Sequence, residues 1–161
     1  KETVFTKCLK TVNWPARLQK LVTGPMVEQV KILSYGAELW IDGGHNQAAA
    51  RALIPFLNQP FNGTSHIILG MLNSKDLESF ISEISSFVES IGCVSIPESY
   101  AALNAKEVLL ATKKFHSNAF MAKNLSEALN SIINNNTTKN NIRVLFCGSL
   151  YLCGHILRNH N

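Results

Sequence analysis

Long apolar runs are missing from this chain of 161 residues. None approaches the roughly 20 residues that cross a bilayer, which argues against a membrane-spanning helix and a membrane partner. The start, Lys1-Glu2-Thr3-Val4, has no apolar stretch followed by small residues, so it does not read as a secretory leader. Cysteine is sparse and never forms C-x-x-C. Cys8, Cys93, Cys147 and Cys153 therefore read as reduced thiols of a cytoplasmic protein rather than as zinc ligands or disulfides. His66, His116, His155 and His160 have no metal-ligand spacing, and each is expected at the surface or a strand edge. Neither G-x-x-x-x-G-K-[ST] nor G-x-G-x-x-G occurs, so the chain carries no phosphate loop and no dinucleotide fingerprint. Fifteen Lys plus Arg against eleven Asp plus Glu leave only +4, with no basic stretch interleaved with aromatics. That balance suits an ordinary solvated surface or a polyanionic ligand and argues against nucleic acid.

What is present is a regular alternation. Short apolar runs at Glu38–Asp42, His66–Gly70, Gly92–Ile96 and Arg143–Cys147 read as strands, with a shorter one at Asn118–Phe120. Between them lie stripes at helical spacing. Ala48, Ala49, Ala52, Leu53 and Phe56 mark a helix over Gln47–Leu57. Leu77, Phe80, Ile81, Ile84, Phe87, Val88 and Ile91 mark a second, and Asn104 opens a third through Lys114. Leu125, Ala128, Leu129, Ile132 and Ile133 mark a fourth, and Leu150–Leu157 closes the chain. The polar run Asn134–Asn141 reads as a surface loop. Strands separated by helices imply parallel pairing through right-handed crossovers. Strands apolar on both faces imply helices on both sides. The expectation is a single three-layer, Rossmann-like α/β domain with a mostly parallel sheet. The first 37 residues, with Trp14-Pro15, Gly24-Pro25 and Gly36, predict two short strands and turns, one running antiparallel at the sheet edge.

In such sheets ligands gather beyond the carboxyl ends of the strands, and three strand-to-helix turns carry polar groups there. The first is Asp42-Gly43-Gly44-His45-Asn46: a carboxylate, a tight turn, then two polar side chains at a helix amino terminus that favours an anion. The plainer alternative is an aspartate cap followed by an incidental histidine. The second is Gly70-Met71-Leu72-Asn73-Ser74-Lys75-Asp76, where Asn73 and Asp76 fit a capping pattern. Lys75 is there either a solvated first-turn side chain or a cation for a phosphate or carboxylate. The third is Cys147-Gly148-Ser149-Leu150-Tyr151, where Ser149 caps the last helix or binds a carboxylate. Upstream, Arg17 in Trp14-Pro15-Ala16-Arg17-Leu18-Gln19 is a surface arginine, a bidentate phosphate ligand or a stacking partner for a base. A hydrolase triad of Ser149, His45 and Asp42 lacks the G-x-S-x-G elbow.

At these same segments the chain resembles the folate branch of the Mur ligase superfamily, the folylpolyglutamate and dihydrofolate synthases. The family patterns W-P-G-R-[LF]-[EQ], [LFI]-D-G-A-H-N-P, G-M followed by K-D, and C-G-S-L-Y-L-x-G are matched in order. The matches are Trp14–Gln19, Ile41–Gln47, Gly70-Met71 with Lys75-Asp76, and Cys147–Gly154. Departures are Ala16 for glycine, Gln47 for proline, and His155 where an acidic residue is expected.

The resemblance implies a carboxy-terminal domain, residues 1–161, that closes over an amino-terminal ATPase domain lying outside this chain. The implied reaction is ATP-dependent: a carboxylate of dihydropteroate or a folate becomes an acyl phosphate, which L-glutamate attacks. It implies His45 as the catalytic group, with Arg17, Asp42 and Asn46 toward ATP, and Ser149, His45 and Lys75 toward glutamate. It implies no metal ligands here, the Mg2+ ligands lying mainly in the other domain, and no turnover by the fragment alone. The other readings are a Mur-type cell-wall amino acid ligase domain and a non-catalytic nucleotide- or partner-binding module.

Overall fold

The structure, a computed structural model, describes residues 14–33, 36–136 and 141–159. Six strands form one sheet: β1 (Gln19–Leu21), β2 (Glu38–Ile41), β3 (Gly63–Leu69), β4 (Ser90–Cys93), β5 (Ala119–Met121) and β6 (Asn141–Cys147). Their spatial order is β1-β2-β6-β3-β4-β5. All neighbours pair in parallel except β1, which runs antiparallel to β2 at the edge with Leu21 opposite Leu39. The last four residues of β3 and all of β6 after Asn141 are buried, as expected of central strands covered on both faces.

The six α-helices among the described residues are α1 (Pro25–Leu33), α2 (Gln47–Leu57), α3 (Leu77–Ile84), α4 (Ala105–Thr112), α5 (Leu125–Asn135) and α6 (Leu150–Arg158). One face of the sheet packs on α1, α5 and α6, through Val27, Val30, Leu129, Ile132, Leu152 and Ile156. The other packs on α2, α3 and α4, through Leu53, Phe56, Phe80, Ile81 and Val108. Phe80, Ile81 and Ile84 are fully buried, each such side chain stabilising the fold by about 1.5–3 kcal/mol of apolar burial. The three-layer α/β architecture with an antiparallel edge strand is thus the one expected.

Several local expectations are corrected. Of the first 37 residues, 14–33 hold one strand and a helix where strands and turns were expected, while residues 1–13 lie outside the described residues. Pro25 sits at the first helical position, where its missing N–H is no loss, and the Glu28 N–H bonds to the Gly24 carbonyl at 3.0 Å. Val27 and Val30, three apart, form the buried stripe. Gln29 ties this helix to α5 through Asn130 at 2.7 Å and Ser126.

The helix after Leu77 ends at Ile84, followed by a 3₁₀ turn at Ser85–Phe87 and extended backbone at Val88. Ile91 fits a helical stripe by spacing, but it enters β4 opposite Ile67, where strand pairing outweighs local periodicity. The cap of α3 is Asp76, whose Oδ1 accepts the Ser79 N–H at 3.0 Å, so Asn73 is not the cap. Asn104 caps α4 as expected, in a full capping box with Glu107. Asn134 and Asn135 close α5 and Asn141 opens β6, so the expected loop is shorter, and its residues 137–140 lie outside the described residues. Cys8 and His160 do as well.

His66 is not a surface or edge residue. It lies in central strand β3, with Nε2 at 2.8 Å from Thr64 Oγ1 and Nδ1 at 2.8 Å from Ser90 Oγ. Burial pushes its pKa down to about 4. Cys93, Cys147 and Cys153 are free and buried.

Candidate functional site

The carboxyl ends of β2, β6 and β3 are adjacent in the sheet, so the turns that follow them meet at one edge. Backbone bonds lock them together. The Asp42 N–H donates to the Phe146 carbonyl at 2.9 Å, the Gly70 N–H to Cys147 at 3.2 Å, and the Gly148 N–H to Gly44 at 3.0 Å. Gly148 has φ +100°, and a Cβ there would meet the Gly70 carbonyl oxygen at 2.6 Å. Only glycine lets the β6 turn pass this close to the β3 turn.

Each turn presents its polar residues differently. Asn46 is the cap of α2, its Oδ1 accepting the Ala49 N–H at 2.9 Å, so the aspartate-cap alternative does not hold. Asp42 is buried and bridges two backbone segments: Oδ1 accepts the Gly44 N–H at 2.7 Å and Oδ2 accepts the Leu18 N–H at 2.8 Å. His45 is half-buried, with Nδ1 at 2.9 Å from the Gly43 carbonyl. A carbonyl only accepts, so Nδ1 carries the proton and Nε2 is left for a ligand. Ser149, buried at 3% exposure, caps α6, its Oγ accepting the Tyr151 N–H at 3.0 Å.

His45, Lys75 and Ser149 line one cleft of about 150 Å³ with Leu72, Gly148, Leu150 and Tyr151. No carboxylate lines it. An imidazole, an exposed ammonium and a helix amino terminus leave it suited to an anion. Arg17 is exposed and makes no hydrogen bond or ion pair within the described residues. It is held at this edge by its neighbours, because the Gly43 N–H donates to the Ala16 carbonyl at 2.8 Å and Leu18 is bonded to Asp42.

Charges from two of these segments bear on one thiol. Burial pushes the Cys153 thiol up to about 12; the Asp42 carboxylate acts in the same direction and the Arg17 guanidinium against it. Cys147 is likewise raised, by burial first and then by Asp42. Both thiols are therefore protonated near neutrality and are not nucleophiles.

The residues singled out in the sequence thus gather at one edge: Asp42, His45 and Asn46 on one turn, Lys75 and Ser149 across the cleft, and Arg17 beside them. Leu72, Leu150 and Tyr151 line the cleft too and were given no role; that Leu150 and Tyr151 are apolar yet fall off the stripe of Leu152, Cys153 and Ile156 was the available signal. The Leu18 backbone N–H had no sequence signal, since any residue supplies one.

The loop shows what one departure from the pattern costs. Ala16, where the resemblance has glycine, adopts φ +59°, and Leu18 has φ +44°. Each left-handed L-residue costs roughly 1–2 kcal/mol.

The family described as "Dihydrofolate synthetase, C-terminal domain" matches residues 27–159. This chain belongs to that family. The dihydrofolate synthetase of Saccharomyces cerevisiae is similar along the whole chain, 24% identical over 170 residues, covering 38% of the yeast protein. The folylpolyglutamate synthase of Lacticaseibacillus casei is 28% identical over 95 residues, covering 59% of this chain and 19% of that protein.

The folylpolyglutamate synthase of Mycobacterium tuberculosis, complexed with ADP and AMPPCP, has the same fold, with a TM-score of 0.75 and 21% identity over 92% of this chain and 32% of that one. So does E. coli FolC in complex with DHPP and ADP, at a TM-score of 0.69 and 21% identity over 92% and 31%. The chain spans little more than a third of the yeast relative and about a third of each structural neighbour. No helix of the described residues is long and apolar enough to cross a membrane.

Proposed function

We propose that this chain is the carboxy-terminal domain of a cytoplasmic, ATP-dependent ligase that adds L-glutamate to dihydropteroate or a folate through an acyl phosphate. The observation that carries the reading is the convergence of His45, Lys75 and Ser149 on one anion-suited cleft, with Arg17 on the same sheet edge and no phosphate loop in the chain. An ATP-cradling domain outside this chain is the partner that completes the site. The match to a dihydrofolate synthetase along the whole chain favours dihydropteroate, and hence the first glutamate, over later additions.

In this reading the chemistry asks for positioning and charge compensation more than for covalent help. The exposed guanidinium of Arg17 takes a phosphate oxygen of ATP bidentately. Asn46 keeps its amide N–H2 free toward the nucleotide, its oxygen being used by the cap. His45 Nε2 lies between the transferring phosphoryl group and the incoming amine. Lys75, Ser149 and the α6 amino terminus hold the carboxylates of glutamate. Docking this edge onto the ATPase domain also excludes water from the acyl phosphate.

The edge does not fit the Mg2+ that accompanies ATP. Both Asp42 oxygens accept backbone N–H groups, the cleft has no carboxylate, and no group of three His, Cys, Asp or Glu among the described residues could hold a metal. In the ligase reading the metal ligands lie in the partner domain.

The test is glutamate-dependent ADP release by the full-length protein with dihydropteroate, a folate panel and the cell-wall precursors of Mur-type ligases. The expected result is turnover with dihydropteroate or folate, large losses in Arg17→Ala and His45→Ala with the fold intact, and none from residues 1–161 alone. Turnover only with a cell-wall precursor transfers the site to that class. ATP binding without ligation of any substrate leaves a binding module and overturns the proposal.

A further inference from the structure

The turn that follows β4 has no part in the site so far described, yet it is built onto it. Its residues 97–103 fold back on the turn after β3. The Asn73 N–H donates to the Ala101 carbonyl at 2.8 Å, the Leu103 N–H donates to the Met71 carbonyl at 2.9 Å, and Leu72 and Ala102 form an antiparallel bridge. Where the turn enters α4, Ser95 Oγ accepts the Ala105 N–H at 2.9 Å. Glu98 makes the bend with φ +58°, a left-handed conformation that persists in a non-glycine residue only where its surroundings hold it. The result is a pre-formed tongue beside Leu72 and Lys75, on the β3 side of the cleft.

At its tip Tyr100 is fully exposed, at 107%, so no other side chain covers it. Four Trp and Tyr lie among the described residues, and three are exposed: Trp14, Tyr100 and Tyr151. All three stand on the carboxyl-end edge of the sheet. Trp14 opens the loop bonded to Gly43, Tyr151 lines the cleft, and Tyr100 tips the tongue. Along the strand order β1-β2-β6-β3-β4, at about 4.8 Å per strand, they spread over about 20 Å. Exposed Trp, Tyr and Arg gathered on one face have the composition of a docking surface, where a few aromatic anchors carry most of the binding. A ring on a pre-formed loop has little freedom left to lose on docking.

The occupant that fits is a domain bearing the nucleotide. The chain holds no phosphate loop and spans 38% of the yeast relative. The edge presents Arg17 and Lys75 with no carboxylate in the cleft, and the Glu98 carboxylate is offset by Arg158 at 3.8 Å, so the edge complements an anionic face.

We propose that the tongue of residues 97–103 is a docking element and Tyr100 its anchor, which meets the amino-terminal ATPase domain on the side of the cleft opposite Arg17. That the partner is an ATPase domain rests on the ligase reading above; that Tyr100 meets another part of the same polypeptide does not.

Two measurements on the full-length protein test it. In the first, a photoreactive benzophenone amino acid replaces Tyr100, and the protein is irradiated with a non-hydrolysable ATP analogue bound. Position 100 should cross-link, within its own molecule, to a segment outside residues 1–161. The same probe at Phe115, exposed in the turn before β5 at the other end of the sheet, should not. Cross-links to a second copy, cross-links confined to residues 1–161, no cross-link, or equal labelling from position 115 overturn the proposal.

The second is kinetic. Tyr100→Ala removes no contact inside this domain, so its melting temperature should match the wild type. Its affinity for ATP, measured by direct binding, should change by less than about 2-fold. Its kcat/KM for glutamate should fall by about 10-fold or more, the loss of one interface anchor. Unchanged ligation overturns the anchor, and an equal loss of ATP affinity places Tyr100 on the nucleotide and overturns the docking role. A wild-type protein that ligates no glutamate sinks the ligase reading, and the cross-link then decides the docking by itself.

Discussion

The Gly148 N–H donates to the Gly44 carbonyl at 3.0 Å, so the turn that ends β2 and the turn that ends β6 share a peptide bond partner in front of the sheet. With Gly148 also pressed against the Gly70 carbonyl, three turns distant in sequence behave as one rigid edge. Gly148→Ala should therefore cost about 2–4 kcal/mol, combining the left-handed backbone penalty with a clash against backbone that cannot swing away. Urea unfolding of the variant checks this. A loss under about 0.5 kcal/mol, the range of an ordinary surface change, would show that the turns are not locked.

A second prediction concerns acid. Burial holds His66 neutral down to about pH 4, while in the unfolded chain it takes up a proton near its ordinary value of 6.5. Below 6.5 the unfolded state binds more protons, so stability falls as pH falls. The contribution of His66 is fully present above pH 6.5 and lost progressively toward pH 4, by up to about 3 kcal/mol. Denaturant titrations at pH 7.5, 6, 5 and 4.5 should show this slope, and His66→Asn should flatten it. An unchanged slope in the variant would assign the acid sensitivity to another group.

Arg143 offers a test remote from the site. Its buried guanidinium lies 4.2 Å from the Phe61 ring centroid and 4.8 Å from that of Phe56, and it donates to the Phe56 carbonyl and to Glu38. Burial raises the Glu38 carboxyl, but bonds from Lys20, Trp40 and Arg143 more than offset this and leave it lowered. Arg143→Met should destabilise the domain by about 2–4 kcal/mol, the range for removing one partner of a buried polar cluster. Arg143→Lys should recover little, because an ammonium can neither fork between two acceptors nor stack flat on the rings. Melting curves of the two variants decide it, and full recovery by lysine would show that charge alone matters.

The start of α3 provides a fourth. Asp76→Ala should lower the melting temperature more than Asn73→Ala, since Asp76 accepts both the Ser79 N–H and its hydroxyl and is held below the usual carboxylate range by them. The reverse order would restore Asn73 as the cap.

Much of this protein was readable before any coordinates. The stripe Leu77, Phe80, Ile81, Ile84 is a helix because one face must be apolar, and Asn104 with Glu107 announces a helix start because a side chain must satisfy free N–H groups. The misreadings share a cause. Ile91 continues a helical stripe by spacing, and only its pairing with Ile67 makes it strand. Val27 and Val30 are too few to declare a stripe until Leu21 and Leu39 are found beneath them. His66 read as a surface group because nothing local says that β4 and β6 lie on either side of its strand.

The order and type of most elements, the glycines of the turns and the polar residues at the strand ends are consequences of local chemistry: period, capping and backbone freedom act over a few residues. The insertion of β6 between β2 and β3 is not local, and it is what brings Ser149 and Lys75 across from His45. So too is the bond from Leu18 to Asp42, made by a backbone group that every residue carries and placed by a loop whose conformation only the folded sheet edge sustains.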